Sequence, residues 1–252
     1  MKRTLAFLYG FVTYTLFLGV FLYAVGFVGN LVAPRTIDSG PESPLGQALL
    51  VNTLLLGLFA VQHSVMARQG FKRWWTRLVP RSVERSTYVL ATNLVLALLF
   101  WQWRPIQGTV WQIEDPVGRG VMWGLYALGW ALVLVSTFMI SHAHLFGLQQ
   151  VWQRLRGQPL TDPKFQTPGL YKRVRHPLLL GFVIAFWATP EMTWGHLLFA
   201  VATTGYILVG IQLEERDLIA AFGNRYRAYQ EQVPRLLPRL RPARDVTGDE
   251  PA

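Results

Sequence analysis

The sequence predicts an all-α integral membrane protein, and three observations carry that reading. Of its 252 residues, 52% are hydrophobic and 15% charged, with mean hydropathy +0.27, whereas soluble domains hold about 25% charged residues. Four apolar runs reach about 20 residues, the length that crosses a hydrocarbon layer. Of 24 Lys and Arg, all but Arg35, Arg104 and Arg119 fall in one alternating set of connections, the asymmetry that sets membrane orientation. The apolar excess also excludes disorder. With no cysteine, disulfides, thiolate metal sites, Fe–S clusters and cysteine nucleophiles are excluded.

The first span runs from Leu5 to Val28, behind Met1-Lys2-Arg3. It resembles a signal peptide, but the run is too long and Ala24-Val25-Gly26 is a poor cleavage site, so the span is read as retained. Pro34, Gly40 and Pro41, with Asp38 and Glu42, make residues 31–44 a polar loop. The second span is Leu45 to Met66. A basic connection follows over 68–85, holding Lys72, Arg73, Arg77 and Arg81, with Trp74-Trp75 at interfacial depth. Tyr88 to Trp103 is the third span and Val121 to Ile140 the fourth; Pro105, Gly108, Glu114, Asp115 and Pro116 mark the polar loop between them. Residues 178–211 form one more apolar block, interrupted at Ala188-Thr189-Pro190-Glu191. Its halves, roughly 13 to 20 residues each, predict a helical hairpin turning at Pro190. The chain is polar and basic from Glu214 onward, and 239–252 lacks periodicity and is expected to be disordered.

The positive-inside rule puts both termini in the cytoplasm, together with the 68–85 and 141–176 segments. The net charge of +10 then reflects topology and contact with anionic membrane lipids. No nucleic-acid reading module accompanies the basic segments, and no obligatory protein partner is evident.

The chemistry must come from few residues. Five histidines are present: His63, His142, His144, His176 and His196. His142 and His144 point to nearly opposite faces if helical but share a side if extended. No further ligands follow at metal spacing, so no metal site is expected. Between Gly169 and Gly181, the run Leu170-Tyr171-Lys172-Arg173-Val174-Arg175-His176-Pro177 joins a basic turn to an apolar helix. Pro177 suits the first helical position, and the free N–H groups there favour an anion or acceptor. The same run also reads as a basic interfacial anchor. Glu214-Glu215-Arg216-Asp217 places two carboxylates at the end of a span, where a ligand or cation must partner them; nearby arginines are the plain alternative.

Arg175-His176-Pro177, Gly181, Glu214-Glu215 and the following Phe222-Gly223, Tyr226, Tyr229, Val233-Pro234 and Pro238 together resemble the isoprenylcysteine carboxyl methyltransferase and phospholipid methyltransferase superfamily. Three further segments resemble the bacterial methanethiol S-methyltransferases, which share an NnrU-like N-terminal region. They are Gln62 through Arg68, Glu84 through Tyr88, and His142 through Trp152. The likeness spans about 45–238, with departures at His144, Gln149 and Leu179. It implies that S-adenosyl-L-methionine is bound by Gln149, Leu170, Tyr171, Arg175, His176, Pro177, Gly181, Glu214 and Glu215. It implies a division into transmembrane helices over 1–140 and a cofactor-binding region with a cytoplasmic cap over 141–238. The implied reaction is methyl transfer to a small thiol, methanethiol giving dimethyl sulfide, in a bacterial inner membrane. A prenylcysteine carboxylate, a lipid amine, and an NnrU-like protein without methyl transfer are the alternatives. A thiol must lose its proton to become a nucleophile, and His63, His142 and His144 are the candidate bases.

Overall fold

The computed structural model describes residues 2–161 and 165–239. Five helices have the length and composition to cross a membrane: α1 (Arg3–Val28), α2 (Leu45–Ala67), α4 (Arg81–Gln102), α5 (Pro116–Ile140) and α9 (Trp194–Phe222). Shorter elements lie between them: α3 (Gln69–Trp75), α6 (His142–Leu145), α7 (Leu148–Arg156), a 3-10 turn (Gly169–Lys172), α8 (Pro177–Trp187) and α10 (Asn224–Gln232). Two short strands, β1 (Thr109–Gln112) and β2 (Glu191–Thr193), pair antiparallel. The protein is a multi-pass, mostly helical membrane protein. Its long helices expose Leu22, Leu54, Val117 and Phe138, a surface that suits lipid, where helices satisfy their own backbone polar groups.

The two ends of the bundle are built differently. At one end, Thr193 caps α9 by accepting from the His196 N–H, and its hydroxyl donates to the Asp38 carboxylate. Asn52 donates to the Arg104 carbonyl at 2.8 Å and accepts from the Arg104 N–H at 2.9 Å. Phe27, Phe100, Trp103 and Phe199 pack beneath. At the other end, Arg85 donates to the Leu145 carbonyl at 2.7 Å, and Arg68 pairs with Asp217 at 2.9 Å. The segments that the Lys and Arg asymmetry separates therefore occupy opposite ends.

The hairpin after His176 is lopsided. Its first arm, α8, has 11 residues, and its second, α9, has 29. α9 does not stop near Ile211 but continues to Phe222, so both glutamates lie within the helix. The third span likewise begins at Arg81 rather than Tyr88, because Glu84 and Arg85 extend the helix past the apolar run. The turn at Pro190 is present, and β2 leaves it to pair with β1, a ribbon the sequence reading lacks. The expected disordered tail lies, apart from Arg239, outside the described residues.

Helix length sets the depth of the charged residues. The rise from Trp194 to Glu214 along α9 is about 30 Å, the thickness of a hydrocarbon core. α8 packs on α5 at glycine contact: a Cβ on Gly181 would lie 2.6 Å from the Gly129 carbonyl oxygen and 2.8 Å from the Val133 nitrogen. Pro177, about 6 Å nearer the charged end, starts α8 opposite Ser136 and Thr137, short of the α5 terminus at Ile140. The Arg175-His176 segment is thereby recessed beside α5. Gly181 serves this crossing of small residues. Gly181→Ala is expected to cost about 1–3 kcal/mol through overpacking. Thermal unfolding in detergent checks this against Gly46→Ala, where an added methyl meets nothing within 4 Å.

Candidate active site

At the charged end the central group is a buried carboxylate. Glu215 is 3% exposed. Its Oε1 accepts from His176 Nε2 at 3.2 Å and pairs with Arg175 Nη1 at 3.3 Å; its Oε2 accepts from Arg235 Nε at 3.2 Å and Gln230 Nε2 at 3.1 Å and pairs with Arg235 Nη2 at 3.0 Å. A buried carboxylate is tolerable only when paired and fully hydrogen-bonded, and these donors supply that. Both oxygens are thus taken by the protein, so Glu215 fastens the Arg175-His176 segment to the C-terminal segment. The backbone repeats the join: Arg175 N–H donates to the Pro234 carbonyl at 2.9 Å, His176 N–H to Arg235 at 3.2 Å and Arg239 N–H to Arg173 at 2.9 Å. The chain reverses between α9 and α10 at Gly223, whose φ of 56° and ψ of −129° are open only to glycine. Tyr226, Tyr229 and Val233 then bury against Phe165, Leu218 and Phe222, and the Tyr229 hydroxyl donates to the Tyr171 carbonyl at 2.6 Å.

Glu214 behaves differently. Its side chain is 53% exposed, with His176 Nδ1 3.6 Å away, so His176 has a carboxylate at each ring nitrogen. The Glu214 charge reaches both Tyr88 of α4 and Tyr171 of the 3-10 turn. Burial first, then this charge, pushes the Tyr171 hydroxyl well above its ordinary value, so it stays protonated.

Facing this carboxylate side are unused donors. α8 opens at Pro177 without a side-chain cap, which leaves the Leu178 and Leu179 N–H groups for a ligand or water. Arg175 Nε, Thr167 Oγ1 and Ser136 Oγ are buried and have no hydrogen-bond partner among the described residues. Ser136 continues the α5 stripe of Gly129 and Val133 that meets α8. An exposed carboxylate beside free N–H donors fits a ligand with an ammonium and a carboxylate, the amino-acid end that S-adenosylmethionine carries. Gln149 lies apart, bonded to Ser141 at 3.4 Å and Thr161 at 3.3 Å. Leu170 is half-buried, its carbonyl accepting from Arg173 and Val174. A cavity of about 290 Å³ bordered by Tyr23, Arg35, Phe100 and Trp101 opens at the opposite end of the bundle.

The NnrU protein family model matches residues 51–214. A methanethiol S-methyltransferase from Mycobacterium tuberculosis is 60% identical over 94% of this chain and 98% of its own length. This chain belongs to the methanethiol S-methyltransferase family. Methanethiol S-methyltransferase 1 of Bradyrhizobium diazoefficiens is 56% identical over 94% of this chain and 83% of its own. Mouse nurim is 30% identical over 65% of each chain. No solved structure matches.

In this methanethiol S-methyltransferase family member the three candidate bases do not converge. His142 and His144 lie in α6, a single turn set off from α5 by the extended Ser141. His142 turns toward α1, its Nε2 2.8 Å from the Tyr14 hydroxyl and its Nδ1 2.7 Å from Thr137 Oγ1, stacked on Phe138 with ring centroids 4.2 Å apart. His144 sits beside Gln150 instead. His63 is the one tied toward α9. The Tyr88 hydroxyl lies 2.9 Å from its Nε2, Ser64 next to it meets the Tyr206 hydroxyl at 3.1 Å, and Arg68 one turn on donates to the Leu213 carbonyl at 3.0 Å. His196 is fully buried at the far end, where its Nε2 donates to the Phe186 carbonyl at 2.9 Å. The sequence reading missed Tyr88, Tyr206, Ser136, Thr167, Gln230 and Arg235. Hydroxyls inside apolar spans were the available signal for the first three.

Removing the Glu215 carboxylate leaves Arg175 buried and uncompensated. Glu215→Ala is expected to lose about 3–5 kcal/mol, read as a lowered unfolding midpoint, while Glu214→Ala leaves the midpoint unchanged. A second expectation concerns pH. Burial lowers the His142 pKa, so the unfolded chain takes up this proton near pH 6.5 while the folded one resists it. The stability attached to His142 is therefore complete above about pH 6.5 and is lost as pH falls below it. Thermal midpoints between pH 5 and 8 should fall on the acid side, and His142→Gln should flatten that slope.

Proposed function

We propose that this chain moves a methyl group from S-adenosyl-L-methionine to methanethiol, giving dimethyl sulfide, at the cytoplasmic face of a bacterial inner membrane. The carrying observation is 60% identity along nearly its whole length to a protein named for that reaction. The cofactor supplies a methyl group activated on a sulfonium. Glu214 would accept from the ammonium of its amino-acid end, and the Leu178 and Leu179 N–H groups with Arg175 Nε would receive the carboxylate. Tyr171 and His176 line the same side, and aromatic faces hold positive charge. Glu215 keeps Arg175 and His176 in place, and the segment over 141–238 acts as the cofactor-binding region.

His63 is the acceptor of the thiol proton, because it is the candidate base whose helix is joined to α9, by Ser64 to Tyr206 and by Arg68 to the Leu213 carbonyl. The thiolate, once formed, is the nucleophile. A small apolar thiol partitions into lipid and reaches the site between helices, so little extramembrane mass is needed. The Lys and Arg asymmetry supports a cytoplasmic orientation for the charged end.

Purified protein in detergent, given S-adenosylmethionine and methanethiol, is expected to release dimethyl sulfide, measured by headspace gas chromatography. Glu214→Ala should weaken cofactor binding by about 10- to 100-fold, the worth of a hydrogen bond to a charged group. Saturable binding without dimethyl sulfide would move the acceptor to a prenylcysteine or lipid amine. Folded protein that binds no cofactor would defeat the reading.

A further inference from the structure

We propose that Arg68 is a positioning residue for the cofactor, clamping α9 so that Glu214 points into the site. This rests on the cofactor-binding role proposed above for Glu214. Arg68 stands at the corner where α2 ends and α3 begins, its ψ of 141° breaking the helix after Ala67. Its Nε donates to the Ser64 carbonyl at 3.2 Å, which fixes the guanidinium to the end of its own helix. Its Nη1 reaches across to α9, donating to the Leu213 carbonyl at 3.0 Å and pairing with the Asp217 carboxylate at 2.9 Å. The Leu213 carbonyl and the Glu214 N–H belong to one peptide unit, so this contact holds the backbone on which Glu214 stands.

The direction of Glu214 follows from where α9 is held. At about 100° per residue, Tyr206, Leu213 and Asp217 fall within about 40° of one another around the helix. All three meet α2. The Tyr206 hydroxyl lies 3.1 Å from Ser64 Oγ, and its ring stands edge-on to Phe59 with centroids 5.7 Å apart; Leu213 and Asp217 take Arg68. Glu215 projects about 180° from the centre of that stripe, into Arg175, His176 and Arg235. The helix is thereby gripped on opposite faces at one level, an arrangement that resists both rolling and sliding. Glu214 projects between the grips, about 80° from one and about 100° from the other, with His176 Nδ1 3.6 Å away.

Without Arg68 the hydrogen bonding on the α2 side is reduced to the Ser64–Tyr206 contact, about 10 Å further along α9. Glu214 then loses its fixed direction while Glu215 keeps its partners. The Arg68 and Asp217 side chains are 32% and 37% exposed, and an ion pair so open to solvent contributes little to folding. Its effect is on where α9 points, not on whether the bundle forms.

The test is Arg68→Gln in the full-length protein, with S-adenosylmethionine binding followed by isothermal titration calorimetry in the absence of thiol. The dissociation constant is expected to rise about tenfold, as for a weakened hydrogen bond to a charged group. The unfolding midpoint should stay within about 2 °C of wild type. In a Glu214→Ala background the same substitution should change affinity less than about twofold, since a residue that acts through Glu214 has nothing left to position. A merely structural role lowers affinity by the same factor in both backgrounds, and that result overturns the proposal. So does an unchanged dissociation constant when Glu214 is present. Should Arg68→Gln misfold, Asp217→Asn removes the charge that Arg68 meets on α9. It must raise the dissociation constant at least about threefold with Glu214 present and not in its absence; any other pattern overturns the proposal equally. Wild-type protein that binds no cofactor overturns the underlying reading and this role together, and that shows before any variant is made.

Discussion

A carboxylate at the end of a membrane-crossing helix must find cations or give up its charge, and the charged end of this protein is arranged around how Glu215 does so. Its donors come from three places in the chain: the segment before α8, the end of α10 and the bent segment beyond it. Each is held by another reason to be there: Pro177 starts a helix, Gly223 permits the reversal, and Tyr226 with Tyr229 buries the returning face. The carboxylate converts these local preferences into one joined unit. Neighbouring residues on a helix point about 100° apart. When Glu215 turns inward to collect the arginines, Glu214 is therefore turned toward the opening. Two adjacent glutamates thus divide into one that holds the frame and one that remains available.

Helix length and glycine contact decide where that unit sits. An arm as short as α8 would be a poor span on its own, yet it covers the distance because its starting point is recessed along α5. The recess is possible because Gly129, Gly181 and Ala185 allow backbone approach closer than any larger side chain would. A longer α8, or a looser crossing, would push Arg175 and His176 out past the Glu214 level. The depth of the site is therefore fixed at the α5–α8 crossing, several residues from any charged group.

Much of this was legible in the sequence, because apolar runs of spanning length and alternating basic connections are signals of composition and need no tertiary knowledge. The double glutamate and the Arg175-His176-Pro177 run were legible as a pair belonging together. Their division of labour was not, since a side chain's direction depends on what packs beside its helix. The packing of Gly181 on α5 was not legible, because glycine serves close approach to a ligand and to a backbone alike. The β1–β2 ribbon was illegible: the strands are short, about 80 residues apart, and lie in segments whose prolines and glycines announce only loop. Whether His142 and His144 share a side was open, since it depends on whether they are helical or extended; Ser141 breaks the helix and each meets a different neighbour.

The two best-placed histidines show why local chemistry alone does not identify a base. His63 and His142 have similar immediate company: a threonine whose hydroxyl bonds back to its own helix, and a tyrosine hydroxyl, which meets Nε2 of His142 but lies within 3.0 Å of both ring nitrogens of His63. What separates them lies one layer further out. The tyrosine at His142 comes from α1 and is surrounded by Phe17 and Phe146, an apolar setting that disfavours any charged intermediate. The tyrosine at His63 instead has the Arg85 guanidinium 4.9 Å from its ring centre. Two histidines with similar neighbours thus differ in setting, His142 against the aromatic rings of α1 and His63 on a helix bonded to α9 through Ser64 and Arg68.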